Sequence, residues 1–404
     1  MTQQTHSLLH GFAPPSKAES DFVNIVRGKG CLLWDDKGNQ YIDAMANLWL
    51  CQIGHGRTEI IEAVTKQMKT LEAYNVFDPF TNEPAAQLAE MVAERSPHPD
   101  GRVFLGCSGS EAVDTALKLS RLYQQLRGES EKQIIIRRTN GYHGTNFGGT
   151  SAQGIAPNRE GWGDLVPHFM EVPNNDLEAA ATIFANHGSQ IAAIIVEPIQ
   201  GAGGVYPPVD GYLEGLRKLC DDNGALLIFD EVICGFGRTG RWFGAQHFGV
   251  TPDLMTFAKG VTSGYLPLSG VIVSRNVCET LEEPDFVLRT GYTYSGHPTS
   301  CAAGIANLEL MERESLVDRA NHVGEQIRNG LESLQSDSLI DSWRGTGAVY
   351  AVEIEQDPTQ IRNEIRSKGV ILRPLNTGLA ICPPLTISDK EIGQVIDTMA
   401  EVLK

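Results

Sequence analysis

Through the middle of the chain, short apolar runs alternate with longer stretches whose apolar residues recur at helical spacing. Residues 133–136, Ile191–Val196, residues 226–229 and Ser269–Val273 read as strands. Runs with no polar face fit strands covered on both sides, as in a parallel-rich sheet flanked by helices. Residues 110–126, residues 210–223 and Pro298–Arg313 carry the helical pattern, and Ser110-Glu111 suits a helix N-terminus. From about Gly345 the pattern returns to short strands at 349–354, 370–372 and 379–381, and a helix is expected from Asp389. The alternation predicts βαβ units and an α/β class. No internal repeat, low-complexity tract or Pro/Gly/Ser linker divides the chain.

A length of 404 residues, 41% hydrophobic and 21% charged, allows two or three structural units with substantial cores. The formal charge of −17 argues against binding a phosphate backbone, so nucleic acid is not an expected partner. No stretch approaches 18 consecutive apolar residues, and residues 1–6 lack the basic start and apolar core of a signal peptide. These features predict no membrane association and a cytoplasmic location. Eight cysteines without C-x-x-C spacing read as free thiols, and ten histidines without H-x-x-x-H or H-E-x-x-H spacing predict no metal site.

The candidate chemistry lies at the end of the apolar run 225–229, where Asp230-Glu231 follows, and in Ala258-Lys259-Gly260. Acidic residues at a strand tip stand where α/β proteins bind ligands, and a single Lys in a small-residue turn can approach them. Pyridoxal phosphate chemistry needs both parts. A Lys amine forms a Schiff base, and a carboxylate against the pyridine nitrogen keeps it protonated so that the ring accepts electrons. Taken singly, Asp230 also fits a turn cap and Lys259 a solvated surface amine.

Across residues 228–264 stand an acidic pair, a glycine-rich segment, Pro252-Asp-Leu254 and then Lys259-Gly260. This stretch resembles the signature of the class III aminotransferases, and the likeness, from Leu9 to about Ser388, is nearest to the amine:pyruvate branch of the omega-transaminases. Within it Gly235-Phe-Gly-Arg-Thr-Gly240 also matches G-x-G-x-x-G, but Arg241-Trp-Phe-Gly244 is a poor helix start for a dinucleotide fold, and a tight loop is the better account. The resemblance implies fold type I, with a mostly parallel central sheet flanked by helices in a large domain of residues 51–295. Residues 1–50 and 296–404 then build a smaller, discontinuous α+β domain.

Gly106-Cys-Ser-Gly-Ser-Glu111 precedes the first long helix, whose N-terminus binds phosphate through unpaired N–H groups, though an ordinary Ser cap reads the same way. The resemblance makes this turn the cofactor-phosphate site, with Gly109 and Ser110 as its residues. It also places Tyr142 and His143, in Gly141-Tyr-His-Gly144, at the cofactor, Tyr142 stacking on the ring or else covering a loop. Val232 presses the opposite ring face, on the strand face of Asp230 if that strand continues. Thr293 reaches the phosphate of the neighbouring subunit, so that active sites are shared in a homodimer, with pairing into tetramers left open.

At the substrate end the resemblance matches Arg373 to a mobile arginine that binds the acceptor's carboxylate; the alternative is a surface Arg at a strand end. It matches Phe12, Trp49 and Phe77 to pocket aromatics, which fit a plain core equally. Ala202 lies at a pocket position, and Glu197 near the cofactor's polar network or in a structural role. His10-Gly-Phe12 stands where the family has His-Pro-Phe, which puts fine specificity in doubt more than the reaction. The implied activity is transfer of an amino group from a primary amine to pyruvate or another keto acid or aldehyde, by a ping-pong route. A decarboxylase or aminomutase of the same family, and a non-catalytic cofactor-binding protein, are the alternatives.

Overall fold

The computed structural model describes residues 7–404; residues 1–6, read above for leader character, lie outside the described residues. Near the N-terminus β1 (Ile25–Lys29), β2 (Leu32–Asp35) and β3 (Gln40–Asp43) form an antiparallel meander. The central strands follow: β4 (Arg102–Gly106), β5 (Ile134–Arg138), β6 (Phe169–Val172), β7 (Ile191–Val196), β8 (Leu226–Asp230), β9 (Leu254–Phe257) and β10 (Ser269–Val273). They form one seven-stranded sheet in the order β4-β10-β9-β8-β7-β5-β6. Strands β5 to β9 pair in parallel, and only β10 runs antiparallel to its neighbours β9 and β4. The sheet is therefore mostly parallel, as the unbroken apolar runs predict.

The C-terminal part adds β11 (Ser342–Thr346), β12 (Val349–Glu353), β13 (Val370–Ile371), β14 (Arg373–Pro374) and β15 (Gly378–Ile381). Four of these make an antiparallel sheet in the order β11-β12-β15-β14, while β13 crosses to pair in parallel with β3. The two ends of the chain thus share a sheet. The expected helices at Pro298–Arg313 and from Asp389 to Leu403 are present, the latter opened by reciprocal Ser388 and Glu391 capping bonds. Boundaries shift by a residue or two elsewhere: β5 starts at Ile134, not 133, and the helix expected at 210 starts at Tyr212 behind the left-handed Gly211.

Side-chain alternation divides the central core into two layers. Ala193, Ile195, Leu226, Ile228 and Leu254 face the helix Gly109–Leu126, with Ala112, Val113 and Ala116 against them. Ile194, Val196, Leu227, Phe229 and Met255 pack into the larger cluster on the other face. Asp230 continues the parity of Leu226 and Ile228, so its carboxylate lies on the face of the helix Gly109–Leu126. Glu231 takes the other face.

The glycine-rich segment 235–240 is a tight loop, as expected. Phe236, Gly237 and Gly240 all have positive φ, and a Cβ on Gly240 would sit 2.0 Å from Asn321 Oδ1. Buried Arg238 clamps the loop to both ends of the chain, donating to Ala348 O at 3.0 Å, to Pro383 O at 2.7 Å and to the Gln52 side chain. Among the described residues no helix is long and apolar enough to cross a membrane, and the eight cysteines are unpaired.

Candidate active site

Asp230 closes β8 as a buried carboxylate with a full set of donors. His143 Nδ1 donates to its Oδ2 at 2.8 Å, while Thr256 Oγ1 at 3.0 Å and Val232 N at 3.2 Å donate to its Oδ1. Thr256 lies directly across from Asp230 in the β8–β9 register. A carboxylate fixed by three donors is held in one orientation, which suits it to face a cationic partner. The strand ends at Asp230, so Val232 is not on its face by continuation; it arrives through the turn that its own N–H closes on Asp230.

Lys259 follows β9 with a left-handed backbone, φ 47°. The residue keeps some contact with solvent, yet burial of the amine pushes its pKa down from 10.5 to about 8. Asp230 and Glu197 oppose that depression, and Arg373 adds to it. Residues from β8, β9, the end of β7 and β14 therefore converge on one amine.

Glu197 follows β7 and is buried, and burial raises its pKa. Its Oε1 accepts from Tyr142 N and its Oε2 from Gly201 N, both at 2.9 Å. One carboxyl thus ties together the loop carrying Tyr142 and His143 and the loop carrying Ala202. Arg138, buried beneath, donates to Glu197 O and, at 3.3 Å, to Asn174 Oδ1.

The helix expected from Ser110 begins one residue earlier, at Gly109. Ser108, not Ser110, is its N-cap, accepting from Glu111 N at 3.2 Å. The amides of Gly109 and Ser110 have no carbonyl within the helix to bond. A Cβ on Gly109 would meet both Val232 methyls at 3.3 Å and Ala258 Cβ at 3.6 Å, so the turn lies directly over the approach to Asp230 and Lys259. Ser110 Oγ accepts from Thr145 N at 3.0 Å, and Gly144, φ 85°, passes so close that a Cβ there would stand 2.5 Å from that hydroxyl. Free amides at a helix start, a fixed carboxylate and an amine of depressed pKa make a donor set that fits pyridoxal phosphate.

Arg373 is not a surface residue at a strand end. Its guanidinium is partly buried, lies 5.3 Å over the ring of Trp49, and acts electrostatically on Tyr142 and Lys259. Trp49 is 2% exposed, and its ring stands 2.6 Å from where a Cβ of Gly201 would be, so Gly201 has to be glycine for this packing. Phe12, by contrast, is 80% exposed and Phe77 48% exposed; within one chain neither joins the pocket wall. Phe77 packs against Gly291 at the start of the strip holding Thr293, which is itself exposed. That strip is pinned beside the helix start by Tyr292 Oη, which donates to Glu111 O at 3.1 Å.

Thr256 and Gly201 escaped the sequence reading. Thr256 is a lone polar residue inside the buried apolar strand β9, a signal that was present. A groove of about 620 Å³ lined by Gln40, Lys368, Glu391 and Asp397 lies away from all of these residues.

The model of the class-III aminotransferase family matches residues 14–403. The omega-amino acid–pyruvate aminotransferase of Pseudomonas putida is 38% identical over 433 residues, covering 96% of this chain and 94% of that protein. Among solved structures, an (S)-enantioselective omega-transaminase from Thermomicrobium roseum superposes with a TM-score of 0.93 at 35% identity, over 98% of this chain and 96% of the other. An amine transaminase from an uncultivated Pseudomonas species, solved in its PLP-bound internal aldimine form, gives 0.94 at 32% identity over 99% of both chains.

Proposed function

The chain belongs to the class-III aminotransferases, pyridoxal phosphate-dependent transaminases of fold type I, and from that premise we propose that it moves the amino group of a primary amine or omega-amino acid to pyruvate, giving a ketone or aldehyde and alanine. The observation that carries the site assignment is the buried Asp230 carboxylate, fixed by His143, Thr256 and Val232 beneath the Gly109 turn that also meets Ala258, next to Lys259.

Pyridoxal phosphate supplies, when bound, an aldehyde for the amine and a ring that accepts electrons. The protein residues then divide the work. Lys259 Nζ would hold the cofactor and, when free, would move the proton at the donor's carbon as general base and acid. Its depressed pKa supports that role, because a neutral amine is needed for both tasks. Asp230, oriented by His143 and Thr256 and flanked by Val232, would pair with the pyridine nitrogen and keep it protonated. The amides of Gly109 and Ser110 would take the phosphate and Tyr142 would cover the ring, while Glu197 holds the Tyr142 and Ala202 loops together. Arg373 receives the acceptor's carboxylate and Trp49 walls the amine side.

The exposed Phe12, Phe77 and Thr293 fit a homodimer in which each chain completes its partner's site. We read residues 51–295 as the large domain and the remainder as the small one, a division supported by the β3–β13 pairing of the two ends. Eight unpaired thiols fit a cytoplasmic location.

The test is spectroscopic. Purified protein with pyridoxal phosphate should lose its visible band on addition of an aryl-alkyl amine and regain it with pyruvate, with alanine formed. A bound cofactor that ignores the amine yet releases carbon dioxide from an amino acid would instead support a decarboxylase.

A further inference from the structure

Residues 45–49, between β3 and the loop to His55, hold an improbable backbone. Ala46, Asn47 and Trp49 all have positive φ, at 48°, 61° and 61°, and none is glycine. Asn47 pairs its φ with a ψ of −98°, close to a tight γ-turn that L side chains avoid. Such conformations persist only where their surroundings over-determine them, and they cluster at functional sites.

The surroundings here are one carboxylate and one imidazole. Asp43 is fully buried; its Oδ2 accepts from Asn47 N at 2.7 Å and its Oδ1 from Met45 N at 3.3 Å. The same Oδ2 accepts from His55 Nε2 at 2.8 Å, which leaves His55 Nδ1 to accept from the Cys51 thiol at 3.8 Å. His55 is itself fixed by reciprocal backbone bonds with Gly30, at 2.9 and 2.8 Å. Both ends of the segment 43–51 are thus tied through one ring. Inside it, Trp49 N donates to Met45 O at 2.9 Å and Cys51 N to Ala46 O at 3.1 Å, so the turn's shape dictates where the Trp49 indole emerges. That indole lies between Gly201 and Arg373.

We propose that Asp43 and His55 are positioning residues of the amine pocket: their buried hydrogen bond holds the strained turn 45–49 in the shape that places Trp49, and thereby sets how bulky a donor the site accepts. The inference rests on the transaminase reading given above.

The experiment compares the holoenzyme with His55→Phe, which removes the donor, and with His55→Gln, whose amide keeps one near the Nε2 position. Hydrogen exchange is followed for the amides of residues 45–51, and kcat and KM are measured for a small alkyl amine and an aryl-alkyl amine with pyruvate. In His55→Phe we expect exchange in 45–51 to quicken about tenfold and the KM of the aryl-alkyl amine to change about tenfold, with kcat for the small amine within about twofold, since misplacement of a positioning contact acts first on fit. His55→Gln restores most of both. Asn47→Gly, added to His55→Phe, recovers part of the protection because glycine adopts the turn unaided. Unchanged exchange, a parallel fall in kcat for both amines, or identical behaviour of the Gln and Phe variants overturns the proposal. If the wild-type protein makes no alanine from either amine, the functional reading falls, and the exchange data still decide the anchor.

Discussion

Asp230 and Glu231 are joined by one peptide bond and serve opposite faces of the central sheet. Asp230 turns towards the helix Gly109–Leu126, where His143 and Thr256 fix it; Glu231 turns the other way and accepts from Gly244 N at 2.8 Å and Ala245 N at 2.7 Å, at the start of the helix Gly244–Phe248. The acidic pair is therefore not a catalytic dyad. Asp230→Asn should lower kcat/KM on the order of 10²–10³-fold, the scale of losing one preorganised electrostatic partner. Glu231→Gln should leave kcat/KM within about threefold, because surface-distant caps act on stability. Equal losses in the two variants would contradict the division.

Glu231 also gives a pH signature. Burial raises its pKa from 4.5 to about 7, against the lowering effect of its two backbone donors. The folded state then holds a proton that the unfolded state has released, so the stability it contributes is complete below about 4.5 and is lost as pH rises through 7. At about 1.4 kcal/mol per unit, the span amounts to roughly 3 kcal/mol at most. Thermal midpoints of the wild type should fall more between pH 5 and pH 8 than those of Glu231→Gln, by an amount visible in a melting curve; parallel profiles would remove Glu231 as a cause.

Much of the fold was legible because the strands β7, β8 and β10 are buried on both faces, and largely apolar runs satisfy that environment, whereas β9, interrupted by Thr256, was not read as a strand. Asp230 and Lys259 were legible because strand tips and small-residue turns have a sequence form. Four features were not. The end of β8 at Asp230 depends on a side-chain bond to Val232 N, which no periodicity encodes. The helix start at Gly109 turns on which of two serines caps it, and both have capping chemistry. The inward turn of Arg373 is set by Trp49, which lies more than three hundred residues earlier, and the exposure of Phe12 reflects how the N-terminal segment lies on the surface rather than its own apolar character.

The Lys259 amine should titrate in an unusual range. With a pKa of about 8, roughly one molecule in ten carries the neutral amine at pH 7, against about one in three thousand for an ordinary lysine. Covalent capture of pyridoxal phosphate by cofactor-free protein should therefore climb through pH 8 and level off above it. The same depression means that the cofactor-free fold binds fewer protons than the unfolded chain between pH 8 and 10.5, so stability rises with pH across that window. Lys259→Ala should abolish borohydride-fixed cofactor and lower kcat/KM on the order of 10²–10⁴-fold. Capture that keeps rising to pH 10 would show an unperturbed amine.

Arg373 offers the sharpest separation between the two half-reactions. Its guanidinium lies 5.3 Å over the Trp49 ring, and the proposed function gives it the acceptor's carboxylate. Burial lowers its pKa, but from a starting value of 12.5, which leaves it cationic at neutral pH. Arg373→Leu should raise the KM for pyruvate roughly ten- to a hundredfold, since a two-pronged charged contact is lost. The KM for an uncharged amine should not rise, because that amine needs only the apolar wall. Arg373→Lys should recover little, as an ammonium cannot match the planar fork. Steady-state kinetics with each substrate varied at saturating partner distinguishes these effects, and a KM that rises equally for amine and pyruvate would place Arg373 in the architecture of the pocket rather than in recognition of the acceptor.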